Sequence, residues 1–583
     1  MIRFVFLAVL AFLALGLTSC GEKKQVPPAV SIRVERLATG DAFHVTWRSE
    51  QPTRALVFSR GLGLREGRWK PVGSGLKFVS RGGYDILESE LDRIEFGAVI
   101  PERTSEVIGD YPFLTTFSDG GLVLYTGHLD AASIHCLNLC SPAEIEVARG
   151  GFNKTALQLI PRNSELIVTE AGVARQQLLF HPPPGGALVY FGRQEVSQAN
   201  GFSFIADPRL PRWLERETKR LLPKILNLNA AKLGRRPHEP LVFIPYMNEE
   251  NSRFSMRHSG SVVGNHVLLS LYGASWERRG PGTLDQYRKL LAHEAFHLWN
   301  ANLFHNSHRT GTRWLHEGSA DEFSILALAE LGLLSSRELR QLRTEALNRC
   351  LIGLTGATIP ESDYAAHIRN HYDCGSVVQS LLGYQLERQG SDLWTFWSSL
   401  FDVAGKNNRF YNPETFYSLA NGQTSAPKLV DSLEALTQGK VGGPEGETDA
   451  LEELFFSSFR TVGIDITATD DGDWPEWYRE LVLERALSMA LMADCGSAGY
   501  YVSDENSIRI VGRPSCRYLK SDQDITTIAG RDFRLEAVQV YDSIRSSCAD
   551  EPSFEIAGPS LHAPLTLACP TLPRRPRYMS IAD

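Results

Sequence analysis

The chain has 583 residues, of which 43% are hydrophobic and 22% charged, so it has enough apolar material for packed cores and is not a disordered tail. At about 150 residues per domain that length predicts three or four domains. Lys plus Arg number 60 against 68 Asp plus Glu, a formal net charge of −8, which leaves no overall basic field to hold nucleic acid.

At the N-terminus a single cation, Arg3, precedes an apolar run from Phe4 to Leu17. The run is too short to span a bilayer as a helix, which takes ~20 residues, but it suits the apolar region of a secretory signal. Its ending, Leu17-Thr18-Ser19-Cys20-Gly21, resembles the lipobox of bacterial lipoproteins. That resemblance implies a signal peptide over 1–19, a lipid-bearing Cys20 as mature N-terminus and a linker over 21–29. The protein is then anchored to the membrane of the cell envelope without a spanning helix. Gly21, rather than Asp, after the cysteine implies the outer membrane. The competing reading is an ordinary cleaved signal with an incidental cysteine.

The nine cysteines are an odd number. With Cys20 set aside, eight remain in an exported chain, and an even set there predicts disulfides. Spacing favours the local pairs Cys136–Cys140, Cys350–Cys374, Cys495–Cys516 and Cys548–Cys569. A zinc cluster is the competing use of Cys136 and Cys140, but no second cysteine pair lies near them.

Residues 30–205 show short alternating runs such as Phe43-His-Val-Thr-Trp47 and Ala187-Leu-Val-Tyr-Phe191, broken by glycine and proline. Period-two alternation of this kind predicts an all-β domain, a sandwich or similar. Near Asp207 the texture becomes helical over Leu214–Leu228. A buried strand, Pro240-Leu-Val-Phe-Ile-Pro245, follows, and then helical patterns from Thr283 through Glu330 and beyond. A small sheet followed by a helical bundle fits 206–482. The glycine- and acid-rich stretch 438–449 reads as a surface insertion or linker, and 483–577 as a last, smaller αβ domain.

The chemistry concentrates in Leu291-Ala-His-Glu-Ala-Phe-His-Leu-Trp-Asn300. His293 and His297, four apart on a helix, share a face and can converge on one metal. Glu294, one residue on from the first histidine, is rotated by about 100° and can serve as general base without being a ligand. Catalytic zinc takes three protein ligands and an open position. Glu317, twenty residues after His297 and opening another helical pattern, completes a His2Glu set. Asp321, one turn further, is placed to accept the spare ring N–H of a ligating histidine.

The pairing of His-Glu-x-x-His with Trp314-Leu-His-Glu-Gly318 resembles the gluzincin metallopeptidases, particularly the M1 and M61 aminopeptidase families, and Trp299-Asn300 is more similar to M61, the glycyl aminopeptidases. The resemblance implies a thermolysin-like α+β zinc peptidase domain, a Zn2+ cofactor on His293, His297 and Glu317, Glu294 as base, and a peptide or protein substrate. His371-Tyr372-Asp373-Cys374-Gly375 is similar to the Tyr-x-Lys-Gly segment of those families, with Cys374 in place of the lysine. Tyr372 is thereby the expected oxyanion donor, and His367 and His371 are alternative donors. Those families also carry a strand ending in a glutamate that binds the substrate amine. The matching region here is taken as Val263-Gly264-Asn265-His266, with Gly264 and Asn265 as expected substrate contacts and no glutamate.

The stretch Asp522-Gln-Asp-Ile-Thr-Thr-Ile-Ala-Gly530, the helical Leu535–Ile544 and the strand candidate Leu565-Thr-Leu567 are similar in order to a PDZ domain. That implies a groove for an extended C-terminal peptide. A β domain, a gluzincin core and a PDZ-like end match the M61 layout. The resulting expectation is an exported, lipid-anchored zinc peptidase. The alternative is a lipoprotein binding or assembly scaffold with an inactive or structural zinc site.

Overall fold

The computed structural model describes residues 30–38, 42–60, 63–101, 111–134, 151–152, 155–248, 256–306, 311–355, 357–363, 369–441, 448–470, 472, 474–496, 499–504, 507–511, 516–519, 523–533 and 535–582. Cys20, Cys136, Cys140 and His367, expected to act in anchoring, bridging or catalysis, lie outside them. Two compact units result: 1–116 with 120–194, and 117–119 with 195–583.

The first unit is all β. Val30–Arg36 alternates buried and exposed residues, as its sequence does, and pairs antiparallel with Ala42–Phe58 and parallel with Ala156–Ile160. Among the described residues these belong to an eight-stranded sheet, and Leu122–Tyr125, Leu166–Thr169 and Leu188–Gly192 to a five-stranded one. Val34, Trp47 and Phe96 from the first sheet share one core with Leu122, Ile167 and Phe191 from the second. Two sheets thus bury their apolar faces against each other.

The second unit begins earlier than the expected 205/206 boundary. Strands Ser197–Ala199 and Phe202–Ala206 have the alternation of the preceding domain, but Phe202–Ala206 pairs in parallel with Leu241–Ile244 and so joins the next sheet. Sequence texture cannot register that partner choice. The sheet continues through His266–Tyr272 to Arg257–Val263, which pairs antiparallel along the full length of that strand.

Helices α1 (Arg212–Leu233), α2 (Pro281–His297), α3 (Arg313–Glu330), α4 (Ser336–Gly353), α5 (Arg369–Glu387) and α6 (Leu393–Lys406) stack beside this sheet. They are followed by α7 (Pro413–Gln423), α8 (Pro427–Thr437), α9 (Thr448–Thr461), α10 (Glu476–Cys495) and α11 (Ala537–Asp550). Boundaries obey local chemistry: Pro281 sits in the first turn of α2, and at α4 the Ser335 hydroxyl accepts from Glu338 N while the Glu338 carboxylate accepts from Ser335 N. The aromatic core holds α2, α3 and α6 together, with Phe296 stacked on Phe323 at 4.2 Å and Trp397 edge-on to both.

Disulfides join Cys350 to Cys374, Cys495 to Cys516 and Cys548 to Cys569. The expected boundary at 482/483 falls inside α10, a continuous helix whose apolar face packs with Ile352 of α4 and with the last αβ region in one core. From that region the chain returns. Strand Tyr578–Ile581 pairs with Ile466–Thr469, and the Asn348 amide exchanges two hydrogen bonds with the Met579 backbone. Among the described residues no helix is long and apolar enough to cross a membrane.

Candidate metal centre

Three elements meet at the centre: the C-terminal turn of α2, the first turns of α3 and the first turn of α5. Glycines let them meet. A Cβ on Gly318 of α3 would overlap Gly375 Cα of α5 and lie 2.7 Å from Ser376 N, and one on Gly375 would lie 2.7 Å from Gly318 Cα. The two helices therefore cross backbone to backbone, which brings Glu317 and Tyr372, one and three residues from the crossing, into the same space.

His293 Nε2 lies 3.0 Å from His297 Nε2, and Glu317 Oε2 lies 3.5 and 3.3 Å from these two nitrogens. Both outer ring nitrogens are engaged. His293 Nδ1 donates to Asp321 Oδ1 at 2.8 Å, as the one-turn spacing of Glu317 and Asp321 requires. His297 Nδ1 donates to Asn300 Oδ1 at 2.9 Å; the Asn300 amide nitrogen is committed to His316 O and Ser319 Oγ, so its oxygen must accept. With both Nδ1 atoms protonated, both neutral rings point Nε2 lone pairs at each other and at a carboxylate. Such a cluster repels itself unless a cation sits among the three atoms.

Zinc bonds of ~2.0–2.1 Å in tetrahedral geometry set donor atoms about 3.4 Å apart, which the three observed separations match. The donor set therefore fits a zinc ion with one position left over. Burial opposes the charge on His293, but Asp321 and Glu317 outweigh it and push the ring up to about 10. Burial likewise works against the Glu317 carboxylate, and its two histidine partners prevail, holding it well below its ordinary range.

Glu294 is 5% exposed, and its Oε2 has no hydrogen-bond partner among the described residues. Its Oε1 lies 4.0 Å from His293 Nε2. Burial pushes this carboxyl up, partly countered by the two histidines. The carboxyl rests on Gly260 in the edge strand, where a Cβ would overlap Oε1 and Cδ and lie 2.5 Å from Cγ. Tyr372 stacks on the His293 ring at 5.8 Å and 19°. Burial first, then the charges of Glu317, Glu294 and Asp321, push its hydroxyl well above the usual tyrosine range, so it stays protonated and able to donate.

The structure thus gathers His293, His297, Glu317, Glu294, Asp321 and Tyr372. It does not bring in Gly264 and Asn265. These form the two-residue turn between Arg257–Val263 and His266–Tyr272, and the Asn265 side-chain oxygen accepts from Asn302 Nδ2 at 2.6 Å. The residue of that hairpin at the centre is Gly260, because a strand presents its middle, not its turn, to the helix beneath. His371 is fully buried within α5. Two further residues reach the centre: Asn300, which in the sequence carries only a family resemblance, and His316, which carries no signal there. Asn300 sits in a π-helical turn, Leu298–Leu303, that extends α2, a feature found frequently at functional sites; its signal was an amide three residues after His297. The His316 ring stacks on His297 at 4.4 Å, and its Nε2 lies 3.9 Å from Glu317 Oε1.

No protein-family model matches the sequence, and no curated protein matches it. Among solved structures, an aminopeptidase N family protein from Idiomarina loihiensis is similar, with 14% identity, a TM-score of 0.59, and coverage of 95% of this chain and 98% of that one. An M1 zinc metallopeptidase from Deinococcus radiodurans, solved with a Tyr-Ser-Ala substrate, matches with 13% identity and a TM-score of 0.41 over 72% of this chain and 96% of that one. The first likeness is one of fold: the multidomain mixed α/β architecture of the chain is similar to that of the aminopeptidase N family protein.

Proposed function

We propose that the protein is a zinc-dependent peptidase. The observation that carries this is the convergence of three lone-pair donors, the two imidazoles each orientated by a partner, beside a buried carboxylate with one unpaired oxygen. His293, His297 and Glu317 hold the metal, which when bound supplies Lewis acidity toward a peptide carbonyl and toward water. Glu294 takes the proton of the attacking water and returns it to the leaving amine. Tyr372 donates its hydroxyl to the oxygen that gains charge as the carbonyl becomes tetrahedral. Asp321 and Asn300 keep the two imidazoles in the ligating tautomer.

The finer attributes rest on sequence. Trp299-Asn300 and the order of the αβ region after α10, with hairpin 527–532, helix α11 and strands Ser553–Ala557 and Leu565–Ala568, support an M61-like enzyme with a PDZ-like module that takes a peptide C-terminus. Leu17-Thr18-Ser19-Cys20 supports lipid anchoring in the cell envelope, and Gly21 the outer membrane.

Zinc is measured on the purified protein and on the His293→Ala/His297→Ala variant, and peptide hydrolysis on Glu294→Gln. One equivalent of zinc lost with the histidines, and turnover lost with zinc retained in Glu294→Gln, is the expected outcome. Equal, negligible zinc in both proteins overturns the metal site. Zinc without turnover on any peptide library favours the binding scaffold.

A further inference from the structure

Tyr372 occupies the first turn of α5 as the fourth residue of the helix. First turns are where helices open most readily, because their N–H groups lack intrahelical acceptors. An oxyanion donor there needs an anchor beyond its own helix. Three contacts tie this turn down. Asn370 Nδ2 donates to Gly353 O and to Ser362 Oγ, both at 3.0 Å. Gly375 rests on Gly318. Cys374, two residues after the tyrosine, is bonded to Cys350 of α4, with 4.7 Å between the Cα atoms and both residues fully buried. Deeper along α5, Ser376 and Ser380 donate to Glu322 of α3, which Arg343 of α4 also holds. Of these ties, only the disulfide is covalent and cannot open with the turn.

We propose that Cys350–Cys374 is a positioning bond for the reaction, fixing the first turn of α5 so that the Tyr372 hydroxyl is presented to the metal centre. Cys374, two residues after the tyrosine, tethers α5 to α4. The effect proposed for the bond runs through Tyr372, two residues before Cys374. The proposal rests on Tyr372 acting in the zinc peptidase described above.

A double-mutant cycle on the full-length protein tests it, using Cys350→Ala/Cys374→Ala, Tyr372→Phe and the combination, each with zinc content, kcat and KM on one peptide substrate. Displacing a catalytic group by about 1 Å costs up to 100-fold. The expected result is that loss of the disulfide lowers kcat about 10-fold to 100-fold, with zinc retained and KM changed less than about 3-fold. In the Tyr372→Phe background the same loss then costs less than about 2-fold, because the hydroxyl it positions is gone. Equal losses in both backgrounds, loss of zinc with the disulfide, or no loss at all overturn the proposal while leaving the tyrosine reading intact. A Tyr372→Phe enzyme as fast as the parent overturns the tyrosine reading itself, and the positioning role with it. Should the alanine pair not fold, the parent and Tyr372→Phe proteins are treated with a phosphine reductant until the buried thiols titrate, and are compared in the same cycle against the same criteria.

Discussion

Gly260→Ala puts one methyl group where the structure has the Glu294 carboxyl. Real Cβ atoms essentially never approach a neighbour closer than 3.0 Å, and here Glu294 Cγ would stand at 2.5 Å with the carboxyl nearer still. Cγ must therefore retreat by about half an ångström and the carboxylate by roughly 1 Å, a displacement that costs about 100-fold in turnover, or ~2.7 kcal/mol of transition-state stabilisation. The strand has little freedom to yield, since Gly260 is paired with Leu269 in the middle of a seven-residue antiparallel ladder. The glutamate is a flexible side chain, so the expected cost appears in kcat and hardly in stability. Zinc content should be unchanged, because the atoms nearest a Cβ at Gly260 all belong to Glu294. Kinetics on a peptide substrate, metal analysis and a melting curve on one preparation measure all three. A variant within about 3-fold of the parent in kcat, or one that loses zinc, refutes the placement of Glu294 over this strand.

Asp321→Ala and Asn300→Ala each remove the hydrogen-bond partner of one imidazole and should weaken zinc binding by about 10-fold to 100-fold, read by competition with a chelator; unchanged affinity refutes the tautomer argument. Asp321 and Glu317 push the His293 ring up to about 10, and zinc has to displace that proton, so apparent zinc affinity should rise with pH below that value by about tenfold per unit. A flat profile from pH 6 to 9 would contradict it. Gly318→Ala forces a Cβ onto the α5 backbone, which no rotamer change relieves, and should cost about 3 kcal/mol by chemical denaturation. A cost below about 0.5 kcal/mol would show that α3 and α5 cross elsewhere. Arg343→Met strands the buried Glu322 carboxylate, paired at 2.6 Å with neither side chain more than 6% exposed, for an expected loss of about 3–5 kcal/mol; a neutral change sinks the idea that this pair clamps α3 to α4.

Much of the centre was legible in sequence because its information is local. The four-residue spacing of His293 and His297, and of Glu317 and Asp321, is a property of one helix each, and the helical period alone puts each pair on one face. The three described disulfides follow short separations along the chain. Gly260, by contrast, carries no pattern of its own; its role exists only because a strand brings it over Glu294. Gly318 and Gly375 are ordinary glycines until two helices cross at them. The placement of Phe202–Ala206 in the second unit is a matter of which strand pairs with which. In the same way, α10 reads as a domain border in sequence, whereas apolar packing against α4 runs straight through it. The sequence by itself determined the donor types, their phase on each helix and the apolar faces that bury them. Only the tertiary structure decided which backbones touch, because close approach depends on residues tens of positions apart that share no periodicity, and at these crossings a single Cβ is enough to forbid the contact.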